Sequence, residues 1–271
     1  MAMKLVKKIR LCEVGPRDGL QNEKNIVSTE DKIALIDELS RAGFPVIEVG
    51  SFVSPRAVPQ MADTDEVFKG IEKKEGVEYR ALIANVKGVE RAIACGCTKV
   101  KLNVSASVAH NLANLNRTPA QSVAGFQAAV DRAKEAGIGI SGSISMAFGS
   151  PWDREIPLKD VKDIVDAYLS VGIREISLSD ASGMAYPTQV YSICTRCAGS
   201  TRRWIGGCIS TIRAAWGLPI FWPECRPVFP SLIPASRAWE AAPSSQARRA
   251  TWPRRMWCTC ARRPAWRPAS T

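Results

Sequence analysis

Through the first 196 residues, apolar positions follow two alternating rhythms. Short β-rich runs are followed by a polar loop and then by a stretch whose apolar residues recur three and four apart. The runs lie at 9–14 (IRLCEV), 45–50 (PVIEVG), 79–84 (YRALIA), 98–104 (TKVKLNV), 138–145 (IGISGSIS) and 173–178 (IREISL). Between them the segment 28–43 (STEDKIALIDELSRAG) opens on Ser28 and Thr29 as candidate caps, sets Ile33, Leu35, Ile36 and Leu39 on one stripe, and stops at Gly43. The segments 118–137 and 157–172 repeat the plan, each closing on glycine. Strands alternating with helices predict parallel pairing through right-handed crossovers. Six such units in about 190 residues predict an α/β fold, most of a TIM (β/α)8-type barrel, with a doubly wound open sheet as the other arrangement.

After Arg196 the rhythm stops and the composition changes. Residues 1–196 carry 25 Lys+Arg against 24 Asp+Glu, whereas residues 197–271 carry 12 arginines, no lysine and two acids, Glu224 and Glu240. Nearly all of the net charge of +11 therefore belongs to the tail. Seven of eight tryptophans and nine of 17 prolines lie there too, with no sustained helical or alternating period. This predicts two regions: a partial barrel over 1–196, and a tail over 197–271 that is disordered or poorly packed. On that expectation strands 1 and 6 keep exposed edges. No apolar run approaches the roughly 20 residues of a membrane helix. The basic start MAMKLVKKIR reaches strand-like sequence by about residue 9, which predicts no leader, no membrane partner and a cytoplasmic chain.

In such a barrel chemistry gathers where strands end and loops begin. The polar residues there are Glu13, Arg17, Asp18 and Gln21 after strand 1, Glu48 and Ser51 at strand 2, Asn103, Ser105 and Ser107 at strand 4, and Ser177, Ser179 and Asp180 at strand 6. A carboxylate at the end of an otherwise apolar strand costs desolvation unless it is paired or binds a metal. For Asp18 and Glu48 this leaves a functional role or an ion pair with Arg17. For Asp180, "SDASG" reads equally as a site or as a plain turn. His110 sits in a polar loop as a surface residue, and Cys95 and Cys97 read as buried thiols before strand 4. Cys258 and Cys260 have the wrong spacing for a zinc pair.

The stretch 14–23 (VGPRDGLQNE), with 47–67 (IEVGSFVSPRAVPQMADTDEV), resembles the 3-hydroxy-3-methylglutaryl-CoA lyase family, metal-dependent barrel enzymes that share an Arg-Asp-Gly turn with the Claisen-type synthases. The resemblance covers about residues 5–196. It implies retro-Claisen cleavage of 3-hydroxy-3-methylglutaryl-CoA to acetoacetate and acetyl-CoA, a step of leucine degradation, in an enzyme whose intact relatives form homo-oligomers. By the same resemblance Asp18 is a ligand for Mg²⁺ or Mn²⁺. Arg17 holds the thioester carbonyl and the enolate that develops from it. Glu48 is the acid that supports Arg17, and Gln21, Ser51, Ser177 and Asp180 line the substrate mouth. Two positions depart from the pattern: Val108 stands where an acid is expected and Ala181 where threonine is usual.

A larger departure lies beyond Arg196. The family pattern calls for a His-x-His pair on strand 7, an asparagine on strand 8 and a cysteine in a Gly-Gly-Cys-Pro loop, and the tail has none of them; Cys208 follows Gly-Gly but precedes isoleucine. Shifting the reading frame brings the first and last back. Permitted codons for 208–217 (CISTIRAAWG), read after discarding two nucleotides, spell H-F-H-N-T-R-G-M-G. The same shift over 230–243 (PSLIPASRAWEAAP) spells F-D-S-S-I-A-G-L-G-G-C-P. This predicts a frameshifted lyase without activity as written. Two other readings stay open: a related acyl-CoA Claisen-type synthase, and a binding protein whose Arg- and Trp-rich tail takes nucleic acid. The tail shows no nucleic-acid module, so no specific nucleic-acid partner is expected.

Overall fold

The structure is a computed structural model that describes residues 10–198 and, as backbone, the strands 205–211 and 231–235. The basic start at 1–9 and the Cys258–Cys260 pair fall outside the described residues. The chain divides into two units, Met1–Arg237 and Ala238–Thr271, and the second also lies outside them.

The first half runs β1 (Arg10–Glu13), α1 (Thr29–Arg41), β2 (Val46–Ser51), α2 (Thr64–Gly70), β3 (Glu78–Ile83), α3 (Val86–Ala94) and β4 (Lys99–Ser105). It continues with α4 (Val108–Leu115), α5 (Pro119–Ala124), α6 (Phe126–Glu135), β5 (Gly139–Ser145), α7 (Leu158–Ser170), β6 (Glu175–Asp180) and α8 (Pro187–Ala198). Two further strands, β7 (Ile205–Thr211) and β8 (Ser231–Ala235), lie inside the stretch that shows no period. All eight are parallel and form a closed barrel in chain order, with β8 paired back to β1.

This corrects the expectation of open edges: β7 pairs β6 over six residues and β8 pairs β1 at Arg10↔Ser231 and Leu11↔Leu232. The physical reason is that a parallel ladder is made by backbone N–H and C=O groups, which any residue but proline supplies in full. Six tilted and twisted strands already curve most of the way round, so the remaining gap takes two extended segments. Among them only Pro234 lacks an amide hydrogen.

Local signals explain the helices. Ser28 caps α1 by accepting the Asp31 N–H at 3.1 Å. The stripe on α1 holds Ile36 at its centre, but Lys32 and Ser40 are buried beside it and Leu35 sits half-exposed at its edge. Lys32 is tolerated there because its Nζ donates to the Gln60 carbonyl at 2.7 Å and to Asp63 at 2.6 Å. The segment 118–137 is two helices rather than one, broken at Gly125. A capping box between Thr118 and Gln121 starts the first of them.

The apolar core lies between the sheet and the helices. At its centre Tyr168 of α7 stacks on Phe126 at 4.4 Å, and its hydroxyl donates to the carbonyls of Leu102 at 2.8 Å and Ser143 at 3.0 Å. A Cβ on Gly142 would come within 3.0 Å of the Tyr168 ring, so glycine lets α7 approach β5. Tyr168→Phe should therefore lower unfolding stability by about 1–2 kcal/mol in urea titration, because the carbonyls lose their donor while the ring stays in place.

Candidate functional site

Alternation along the strands sets what enters the barrel. On β6, Ile176 and Leu178 join the helix-facing core, while Glu175 reaches Arg80 of β3 at 3.2 Å and Lys99 of β4 at 2.5 Å. Side chains on non-adjacent strands meet this way only through the lumen. Glu78 bonds Arg80 in the same layer, and Lys99 lies 3.2 Å from Glu78. This ionic layer fills the N-terminal end of the barrel.

A second ionic layer lies toward the C-terminal ends of the strands. Glu48 of β2 is wholly buried; its Oε1 accepts from Arg17 Nε and its Oε2 from Lys101 Nζ of β4. Arg17 Nη1 also donates to Asp18 Oδ1 at 2.6 Å. Burial alone would raise the Glu48 carboxyl, but Arg17 and Lys101 hold it down to about 2. Burial works against the Arg17 charge too, and Glu48 and Asp18 more than offset it. The Lys101 ammonium is held below its usual range by burial, which Glu48 offsets in part.

Arg17 and Asp18 ride on one π-helical turn, Gly15–Gly19, in which the Leu20 N–H reaches back five residues to the Gly15 carbonyl, while the Asp18 N–H bonds the Val14 carbonyl at 2.7 Å. Glu13 anchors the turn by accepting the Gly15 N–H at 2.6 Å, so close that a Cβ on residue 15 would lie 2.9 Å from that oxygen. Its Oε2 is buried with no hydrogen-bond partner among the described residues, and burial raises the carboxyl to about 7. Cys12, one residue earlier, faces Arg80, Glu48 and Lys101, and burial pushes its thiol to about 12.

The structure brings together Arg17, Asp18 and Glu48 and adds Lys101, which sequence reasoning missed. The available signal was a lysine at an alternate position of β4, two residues before Asn103 on the lumen side. The other candidates share no hydrogen bond with this set among the described residues. Ser51 and Ser177 are buried and give their hydroxyls to the carbonyls of Leu82 at 3.5 Å and Gly142 at 3.3 Å. Gln21 is half-buried on the short turn Leu20–Asn22. Asp180 accepts the N–H groups of Met184 at 3.0 Å and Ala185 at 3.3 Å, so its carboxylate closes the "SDASG" turn. Cys95 and Cys97 are buried thiols. His110 lies on α4, its ring 2.9 Å from the Asn114 amide and 5.7 Å from the Trp152 ring.

The donor set does not fit a divalent cation. No three His, Cys, Asp or Glu side chains gather among the described residues, and the carboxylate of Asp18 is engaged by Arg17. Strand β7 aligns Gly207 with Ser177 and Ile209 with Ser179, so the register positions that continue the lumen face carry no ligand residue.

Two buried carboxyls give opposite pH responses. Glu48 titrates below its unfolded value of 4.5, so it stabilises the fold above pH 4.5, and that contribution is lost as pH falls toward 2. Glu13 titrates above 4.5, so its contribution is complete below pH 4.5 and is lost as pH rises to about 7. Thermal unfolding across pH 2–8 should therefore show a loss toward pH 2 that depends on Glu48 and a loss toward pH 7 that depends on Glu13. Glu48→Gln should flatten the acid limb and Glu13→Gln the neutral one.

Comparison with known proteins bears on this geometry. The HMGL-like family model matches residues 8–203. A mitochondrial hydroxymethylglutaryl-CoA lyase of Macaca fascicularis is 46% identical over 183 residues, 68% of this chain and 56% of its own length. A 3-hydroxy-3-isohexenylglutaryl-CoA/hydroxy-methylglutaryl-CoA lyase of Pseudomonas aeruginosa is 41% identical over 78% of this chain and 66% of its own length. Among solved structures, an HMG-CoA lyase of Acinetobacter baumannii in complex with coenzyme A and 3-methylmalate superposes with a TM-score of 0.79 at 36% identity, covering 83% of this chain and 74% of that one. The chain thus spans little more than half the length of the mitochondrial relative. No helix among the described residues is long and apolar enough to cross a membrane.

Proposed function

Since this chain belongs to the HMGL-like family, a family of metal-dependent carbon–carbon lyases, we propose that it is a 3-hydroxy-3-methylglutaryl-CoA lyase by descent, read out of frame over its last two β/α units. One coincidence carries the reading. The family match ends at residue 203, close to the break in composition at Arg196, and beyond it the shifted codons restore His-x-His and Gly-Gly-Cys-Pro in order. The strand positions support this: the codons for the His-x-His lie within β7, and those for the Gly-Gly-Cys-Pro fall at 239–243, after the end of β8 at Ala235. On this reading 1–196 is the lyase portion and 197–271 the out-of-frame portion.

The residues in place serve the anionic half of a retro-Claisen cleavage. Arg17 is held charged by Glu48 and set at the open end of the lumen, where it meets the thioester carbonyl of an acyl-CoA and the negative charge that gathers on that oxygen as the C–C bond opens. Gln21, Ser51, Ser177 and Asp180 surround the mouth as candidate substrate contacts, although the last three have local partners in the fold. Asp18 is the one candidate ligand among them for the Mg²⁺ or Mn²⁺ of the family. With Ile209 and Gly207 on β7 the remaining ligands are lacking, so the chain as written performs no metal-assisted step.

Sequencing the DNA across codons 190 to the stop would show whether a base is inserted or deleted near codons 194–197. The frame-restored protein should cleave 3-hydroxy-3-methylglutaryl-CoA with Mg²⁺ or Mn²⁺, and Arg17→Lys or Asp18→Asn should reduce kcat by at least about 10²-fold. The chain as written should stay at background in the same assay. A restored protein that holds metal yet leaves this thioester intact would sink the substrate assignment, and condensation of acyl-CoA would then favour a Claisen-type synthase.

A further inference from the structure

Lys101 is a fully buried cation that the proposed reaction does not use, and among the described residues its hydrogen-bond partner is the second oxygen of Glu48. We propose that Lys101 is a positioning residue for Arg17: by occupying Glu48 Oε2, it leaves Oε1 alone to orient the guanidinium that faces the thioester. The contact spans β4 to β2 across β3, so it exists only in the assembled lumen.

Geometry supports the assignment. A carboxylate with one cation can turn about its terminal bond and take arginine through both oxygens. With Lys101 on Oε2 that rotation is blocked, and Arg17 engages Glu48 through Nε and Asp18 through Nη1. The plane of the guanidinium is then fixed from two sides, and Nη2 bonds neither acid. Arg17 sits on a turn rather than a strand, so its backbone holds it less firmly than Glu48 and Lys101 are held. Without Lys101, Glu48 Oε2 would be buried with no donor, and a carboxylate in that state turns or protonates.

The inference rests on the reading that Arg17 meets the thioester, and two measurements on the full chain separate them. The first needs no ligand: the ¹⁵N–¹H signal of Arg17 Nε, assigned by its loss in Arg17→Lys. It should exchange with water at least about tenfold more slowly than exposed arginines in the wild type and in Lys101→Arg, and lose that protection in Lys101→Met. Lys101→Gln, which keeps a donor without the charge, serves if the methionine variant does not fold. Protection unchanged in a folded Lys101→Met or Lys101→Gln variant overturns the proposal. The second is calorimetric binding of 3-hydroxy-3-methylglutaryl-CoA in the presence of a chelator. The affinity should fall about tenfold in Lys101→Met and return in Lys101→Arg. Equal binding by wild type and Lys101→Met overturns the positioning role. A wild type that takes no thioester, while its Arg17 signal still answers to Lys101, leaves the positioning role standing and overturns the reading that Arg17 meets the thioester.

Discussion

The site depends on one buried carboxylate. Glu48 has no contact with solvent, and an isolated ionised carboxylate in such a place would take up a proton. It stays charged because two cations from different parts of the chain converge on it, Arg17 from the turn after β1 and Lys101 from β4. The same contacts tie that turn to two strands. An electrostatic requirement of one side chain thereby becomes a geometric constraint on the arginine, and Asp18 is drawn in as its second counter-charge.

The lumen beneath continues the pattern. Barrels of this class commonly pack branched apolar residues in layers, whereas here Glu78, Arg80, Lys99 and Glu175 form an ionic layer at the N-terminal end. Such a lumen gains little net stability from each pair, because desolvation offsets most of the attraction. Its effect is on register: a strand shifted by one residue would send Glu48, Lys101 or Glu175 among the helices. Apolar burial between the sheet and the helices, with Tyr168 and Phe126 at its centre, supplies the stabilisation.

Fold and chemistry draw on different information in the last two staves. Pairing β7 and β8 into the ring uses backbone groups that every residue but proline supplies in full. A metal centre uses named side chains at set register positions, and β7 and β8 carry no His, Asp or Glu. A ring can therefore close through residues that offer no metal ligand, which is why a complete strand order and an incomplete donor set coexist among the described residues.

Periodicity alone determined the six strand–helix units and the cap at Ser28, because each is a local consequence of spacing and propensity, and it narrowed the class to a barrel or a doubly wound sheet. The motif VGPRDGLQNE, with the segment 47–67, named the family and placed Arg17, Asp18 and Glu48 among the candidate residues. The break at Arg196 was visible as composition. Tertiary structure decided what depends on distance through space: that Asp180 closes a turn, that Ser51 and Ser177 bond neighbouring strands, and that Gly125 splits one predicted helix in two. It also revealed Lys101, which in sequence is one lysine of a mixed strand and becomes a partner of Glu48 only when β2 and β4 curve toward a common axis. Closure by β7 and β8 was beyond the sequence for a related reason: a backbone ladder leaves almost no mark on side-chain pattern, so only the curvature of the other six strands shows where the last two fit.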